Sequence, residues 1–204
     1  MLWVPVRESA VALMLRHLEL LREWRARIDL TSLDSPPDIA TRHFLDSLTV
    51  FKVLPIDVSL ELLDVGSGGG FPGLVLATVD ATKQVTLMDR DPAKIVFLKH
   101  VTRDLHLSNV RFLNVSLDTL LTRPKPPLFE AVVSRAFSSN PGILQRLSVV
   151  LSPGGHLVRM AGPSSLGRPF RIEGFREARS WEGTLPFSDR FRRVILYERV
   201  PDSV

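Results

Sequence analysis

The chain has 204 residues, 45% of them hydrophobic and 24% charged, with no cysteine and a formal net charge of +4. That length suits one good-sized domain with a small appendage rather than two full domains. The lack of cysteine excludes a disulfide framework, a zinc finger and thiol catalysis, and it suits a reducing cytosol.

No apolar run reaches the roughly 20 residues of a membrane span. The start, Met1 to Arg7, lacks the basic and apolar stretches of a signal peptide. A cytoplasmic protein without a membrane partner is therefore expected. The basic excess fits a nucleic-acid partner, because phosphate contacts favour Lys and Arg. Arginines gather at both ends: Arg22, Arg25 and Arg27 near the start, and Arg168, Arg171, Arg176, Arg179, Arg190, Arg192 and Arg193 in the last quarter.

In chain order, residues 7–27 read as a helix, with Val11, Leu15, Leu18 and Leu21 at helical spacing. A Ser-, Asp- and Pro-rich loop covers 31–37, and a second helix covers 38–54, closed by Pro55. Short apolar runs then alternate with helices. Strands are expected at 60–65, 84–89, 110–115, 129–134 and 155–160, with helices near 72–80, 92–105 and 141–151. A last strand, 193–199, can run antiparallel. Strand–helix alternation of this kind predicts right-handed βαβ units and a mostly parallel sheet covered on both faces. The boundaries expected are a helical extension over 1–54 and an α/β domain over 55–204.

The stretch Asp64-Val65-Gly66-Ser67-Gly68-Gly69-Gly70-Phe71-Pro72-Gly73 lies between the first strand and its helix. Glycine there admits positive φ and lets backbone approach a ligand closely. A dinucleotide fingerprint needs glycine at the position of Phe71. Asp64 with Gly66, Gly68 and Gly70 matches instead the D-x-G-x-G-x-G pattern of S-adenosylmethionine methyltransferases. Asp89, ending the second strand, is placed to accept hydrogen bonds from ribose hydroxyls, or to cap the following helix. Leu117 and Asp118 follow the third strand, where an adenine could rest, although Asp118 could equally be a solvated carboxylate. Ser134-Arg135-Ala136 follows the fourth strand, where open α/β sheets place reacting groups.

Taken together these segments resemble the small-subunit ribosomal RNA guanine-N7 methyltransferase G family, also called glucose-inhibited division protein B. The resemblance rests on Leu30-Thr31, Arg42-His43-Phe44-Leu45-Asp46-Ser47-Leu48, Asp64 to Gly73, Asp89, Phe97-Leu98 and Ser134-Arg135-Ala136-Phe137. It implies a Rossmann-like class I methyltransferase with a seven-stranded sheet and a cofactor pocket lined by Gly66, Phe71, Asp89, Leu117, Asp118 and Arg135. The implied reaction is methylation of guanine N7 in 16S ribosomal RNA, as naked RNA or a small-subunit particle, by a monomer. The chain departs from the family pattern at Asp29, where Asn is usual, and at Ala161-Gly162, where Lys-Gly is usual; either Arg159 or Arg168 substitutes for the missing lysine near the RNA face, or RNA affinity is lower.

Guanine N7 has a lone pair and no proton to lose, so its methylation needs no general base and no metal. Positioning suffices. Arg135 is expected to position base or phosphate, with His43, Ser134 and Phe137 as further substrate contacts. His43 and Asp46 could be read as an acid–base pair; a helix packed over the cofactor mouth with a local hydrogen bond is the expectation. Rival readings are a small-molecule or protein methyltransferase, an RNA-binding assembly factor without activity, and a nicotinamide oxidoreductase.

Overall fold

The computed structural model describes residues 4–135, 141–162 and 170–200. Phe137 and Arg168 therefore lie outside the described residues. Helix α1 (Glu8–Trp24) opens the chain, and its buried face carries Ala10, His17, Leu20 and Leu21. It packs on α4 (Gly73–Val79) and α5 (Pro92–Asp104). Burying leucines such as Leu20 and Leu21 is worth about 1.5–3 kcal/mol each.

The second helical segment is not uniform. It begins as α2 (Pro36–Ile39), capped by the Ser35 hydroxyl on the Asp38 N–H. It continues as a π-helix (Ala40–Leu45), a short α3 (Asp46–Leu48) and a 3-10 turn (Thr49–Lys52). A π turn closes i→i+5 bonds and so rotates later side chains off the face an α-helix would give them. Residues three apart then need not share a face.

Strands β1 (Leu60–Val65), β2 (Lys83–Met88), β3 (Val110–Leu113), β4 (Phe129–Ser134), β5 (Leu151–Ala161), β6 (Phe175–Thr184) and β7 (Phe191–Arg199) form one sheet, ordered β3-β2-β1-β4-β5-β7-β6. The pairs from β3 through β5 are parallel, and β7 pairs antiparallel with both β5 and β6. This is the expected mostly parallel, seven-stranded Rossmann-like sheet, helices on both faces. Alternate residues build two cores: Leu62, Val85, Leu87 and Val133 face α1, α4 and α5, while Leu63, Val65, Val132 and Leu157 face α6 (Leu117–Leu121) and α7 (Pro141–Arg146).

Three local readings change. β5 starts at Leu151, and its register against β4 shifts between the Phe129 and Ala131 pairs. Pro153, which lacks an N–H, and Gly154, at φ 73°, hide that start from a pattern search. β6 had no expected counterpart. Most of its residues are exposed, with charges on both faces, as befits an edge that must resist pairing with another chain. Residues 117–121 form the short helix α6, capped by Ser116, where only a loop edge was expected.

The strand order reverses between β1 and β4. Ligands of open α/β sheets lie outside the carboxyl ends of the strands at such a switch point. The glycine-rich turn leaves β1 there, and Ser134-Arg135 leaves β4 beside it.

Candidate functional site

The turn after β1 contains two kinds of glycine. Gly66 and Gly68 have φ of 75° and 54°, a region that disfavours side chains. A Cβ on Gly68 would meet only the Gly66 carbonyl at 3.9 Å, so this glycine borders open space. Others are required by packing. A Cβ on Gly69 would lie 3.0 Å from Leu21 of α1, and one on Gly73 would lie 2.6 Å from the Asp64 carboxylate and from Leu87. Gly70, expected beside the cofactor, has its side-chain position filled by Leu74 and His17 at 3.0–3.1 Å. Its lack of a side chain serves the turn's contact with α1 and α4.

Asp64 is fully buried. Its Oδ2 accepts from the Gly73 N–H at 2.9 Å, while Oδ1 has no hydrogen-bond partner among the described residues. Burial raises its pKa to about 6, opposed by the Gly73 hydrogen bond. Asp89, just past β2, accepts from the Gly68 N–H and the Asp91 N–H, both at 3.0 Å. It thereby ties the end of β2 to the glycine turn. The helix-capping alternative goes to Asp91, which accepts from the Ala93 N–H.

Behind the turn, a layer of side chains comes from elements far apart in sequence. His17 of α1 donates from Nε2 to the Gly69 carbonyl at 2.8 Å and stacks on Phe71, with centroids 5.1 Å apart. Burial lowers its pKa to about 4, so the ring is neutral. His43 stacks on Phe71 as well, at 4.6 Å. Arg135 Nη1 donates to His43 Nδ1 at 2.7 Å, which fixes the proton on Nε2, directed at the Thr31 hydroxyl at 2.7 Å. Burial first, and then the Arg135 charge, lowers the His43 pKa to about 3. The Arg135 guanidinium lies 5.3 Å from the centre of the Phe71 ring. Phe71 is thus enclosed as a platform for two histidines and an arginine, a use not expected from the sequence.

Asp46 does not meet His43. The π turn separates their directions, and Asp46 Oδ1 accepts from Arg192 Nε of β7 at 2.6 Å. Nor is the expected local hydrogen bond between the two side chains present; the helix is held by Ser47, whose hydroxyl donates to the His43 carbonyl. Ser134 reaches the Val65 carbonyl at 3.5 Å, which places it beside the turn. Leu117 packs into the second core. Asp118 is exposed and pairs with Arg146 at 2.7 Å, an ion pair that occupies one carboxylate oxygen.

The arginine-rich last quarter is less available than its composition suggests. Arg176, Arg192 and Arg193 pair with Glu198, Asp46 and Glu177. Near the start, Arg25 pairs with Asp34. His17, Thr31 and Arg192 were missed because their partners come only from tertiary packing; the Leu30-Thr31 pair was the one trace visible in the sequence.

A family model described as rRNA small subunit methyltransferase G matches residues 10–167. The ribosomal RNA small subunit methyltransferase G of Burkholderia multivorans is 34% identical over 186 residues, 89% of this chain and 81% of its own length. Among solved structures, yhhF of Escherichia coli, described as a methyltransferase, aligns with a TM-score of 0.60 at 21% identity, covering 77% of this chain and 87% of its own. The cyclase SpnF aligns at 0.62 and 17% identity over 97% of this chain and 98% of its own. The fold is therefore shared with proteins of different chemistry, and the assignment of activity rests on sequence kinship and on the site.

Proposed function

The chain belongs to the rRNA small subunit methyltransferase G family, and from that premise we propose that it transfers a methyl group from S-adenosylmethionine to N7 of a guanine in 16S ribosomal RNA. The chain is an S-adenosylmethionine-dependent rRNA methyltransferase. The finer reading, N7 in small-subunit RNA by a cytoplasmic monomer, is our own.

The residues at the turn fit such a cofactor. A buried carboxylate with one oxygen free, Asp64, suits a cationic ligand. The open side of Gly68 suits a nucleoside lying on backbone, and Asp89 retains lone pairs for ribose hydroxyls. When bound, S-adenosylmethionine supplies a methyl group activated by its sulfonium. Asp64, Gly66, Gly68 and Asp89 would hold it, with Leu117 and Asp118 bordering the adenine. Gly70 and Phe71 would act from behind, by shaping the turn.

The observation that carries the N7 assignment is that His43 and Asp46 are both committed. His43 Nδ1 accepts from Arg135, and Asp46 accepts from Arg192. Neither is left to remove a proton, which suits a nucleophile that has none to lose. Arg135, held by His43 and by the ring of Phe71, is positioned to orient base or phosphate, with Ser134 beside it. The test is incubation of the protein with labelled methyl donor and unmodified 16S RNA, followed by mapping of the label. Label at N7 of one guanine is expected. Label on an exocyclic amine or a ribose hydroxyl would overturn the assignment, because those targets require proton removal.

A further inference from the structure

Arg159 lies on β5, on the sheet face opposite the His43–Phe71 cluster. It is 8% exposed, and its guanidinium sits 3.8 Å from the centre of the Phe170 ring. No carboxylate pairs with it among the described residues. Its β7 neighbours on the same face, by register, are Tyr197, Ile195 and Arg193. Burial raises the Tyr197 pKa and lowers that of Arg159; Tyr197 opposes the shift at Arg159, and Arg193 adds a smaller repulsion there. The Tyr197 hydroxyl is enclosed beside the Arg159 guanidinium, which it meets without a hydrogen bond of good geometry. These groups wall a cavity of about 730 Å³ together with Glu177, which is paired with Arg193, and Glu173, which accepts from Gln145, while Arg171 is exposed at its rim.

A buried cation without a counter-charge is costly unless a ligand supplies one. Here the planar guanidinium is held rigidly on an aromatic ring, so its N–H edge is pre-arranged for bidentate contact with an anion such as phosphate. A phenol hydroxyl beside it can donate to the same oxygens. The cavity is also well placed relative to the methyl-transfer crevice. Arg159 is the β5 register partner of Ser134 on β4, and Ser134 borders Val65 at the glycine turn. One strand spacing separates the two positions.

We propose that the Arg159–Tyr197 cavity takes a backbone phosphate of the substrate RNA, on the strand that carries the target base past the carboxyl ends of β4 and β5. The proposal rests on the rRNA reading above and assigns it a second anchoring point, distinct from Arg135. Positive charge at Arg159 supplies affinity, and Tyr197 supplies one neutral hydrogen bond.

The test measures binding of a 16S RNA fragment by the full chain as a function of salt, together with calorimetric affinity for S-adenosylmethionine. R159M is expected to lose about tenfold in RNA affinity and to flatten the slope of log affinity against log salt by about 0.7–0.9, the value for one phosphate contact. Its cofactor affinity stays unchanged, and R159K restores the slope. Y197F loses about threefold with the slope intact, as befits a neutral donor; if R159M does not fold, Y197F and R159K decide the matter. Unchanged RNA affinity in R159M and Y197F, or lost affinity with an unchanged slope in R159M, overturns the site. A wild type that binds the cofactor but no RNA overturns the rRNA reading itself, which separates the two failures.

Discussion

The two sides of the crevice are built from different materials. On the β1–β2 side the surface is backbone: Gly66, Gly68 and the Asp89 carboxylate that pins their loop, with Gly69, Gly70 and Gly73 pressed against α1 and α4. On the β4 side it is made by long side chains: Arg135 on His43 and Phe71, with Asp46 on Arg192 close by. A backbone surface admits a ligand by shape and fails as soon as a Cβ intrudes. A side-chain surface acts through charge, so it responds to salt and to the loss of a partner. The first should be brittle and indifferent to ionic strength, the second graded and salt-sensitive.

The largest expected effect comes from breaking the buried ion pair on the side-chain half. R192M leaves Asp46 buried without its partner and should destabilise the fold by about 3–5 kcal/mol in chemical denaturation. Replacing both, as D46L with R192M, should recover most of that loss. If the double variant is no better than the single, the pair is not the source of the penalty.

Next comes the backbone half. G66V puts a branched side chain at positive φ on the surface that would hold the nucleoside, and cofactor affinity should fall at least about a hundredfold, close to 3 kcal/mol. Unaltered binding in a titration calorimeter would remove this turn from the pocket.

R135A is expected to lower kcat/KM for RNA by about thirtyfold, roughly 2 kcal/mol, through lost orientation. Cofactor affinity should change less than threefold. A parallel loss of both would mean that Arg135 serves the pocket rather than the substrate.

A more gradual effect is on stability against pH. The folded chain holds His17 at about 4 and His43 at about 3, while both protonate near 6.5 when unfolded. Stability is therefore lost as pH falls from about 6.5 towards 4. Asp64, held at about 6, acts in the opposite sense: below pH 6 the folded chain gains a proton there that the unfolded chain does not take until about 4. Among these three groups, two protons against one give a slope of about 1.4 kcal/mol per pH unit between 4 and 6, with stability rising towards neutral pH, while Asp46, whose pKa burial also raises, acts in the direction of Asp64. H17L should flatten that limb by about one proton. An acid limb as steep in H17L as in the wild type would show that His17 is not the group being titrated.

What could be read from the chain was whatever is local. Short apolar runs marked β1, β2 and β4 to within a residue, because both faces of a parallel sheet are buried and leave a continuous apolar signature. Glycine spacing marked the turn after β1, since a backbone that must take positive φ or lie against a neighbouring helix has few residues to choose from. Tertiary structure decided the rest. β6 escaped notice because an exposed edge carries charge on both faces, and the π turn at 40–45 escaped because no composition announces it. Which histidine meets which arginine was likewise invisible: His43 finds Arg135 across 92 positions, and Asp46 finds Arg192 across 146. Contacts so distant in sequence exist only once the sheet has closed, so no window along the chain contains them.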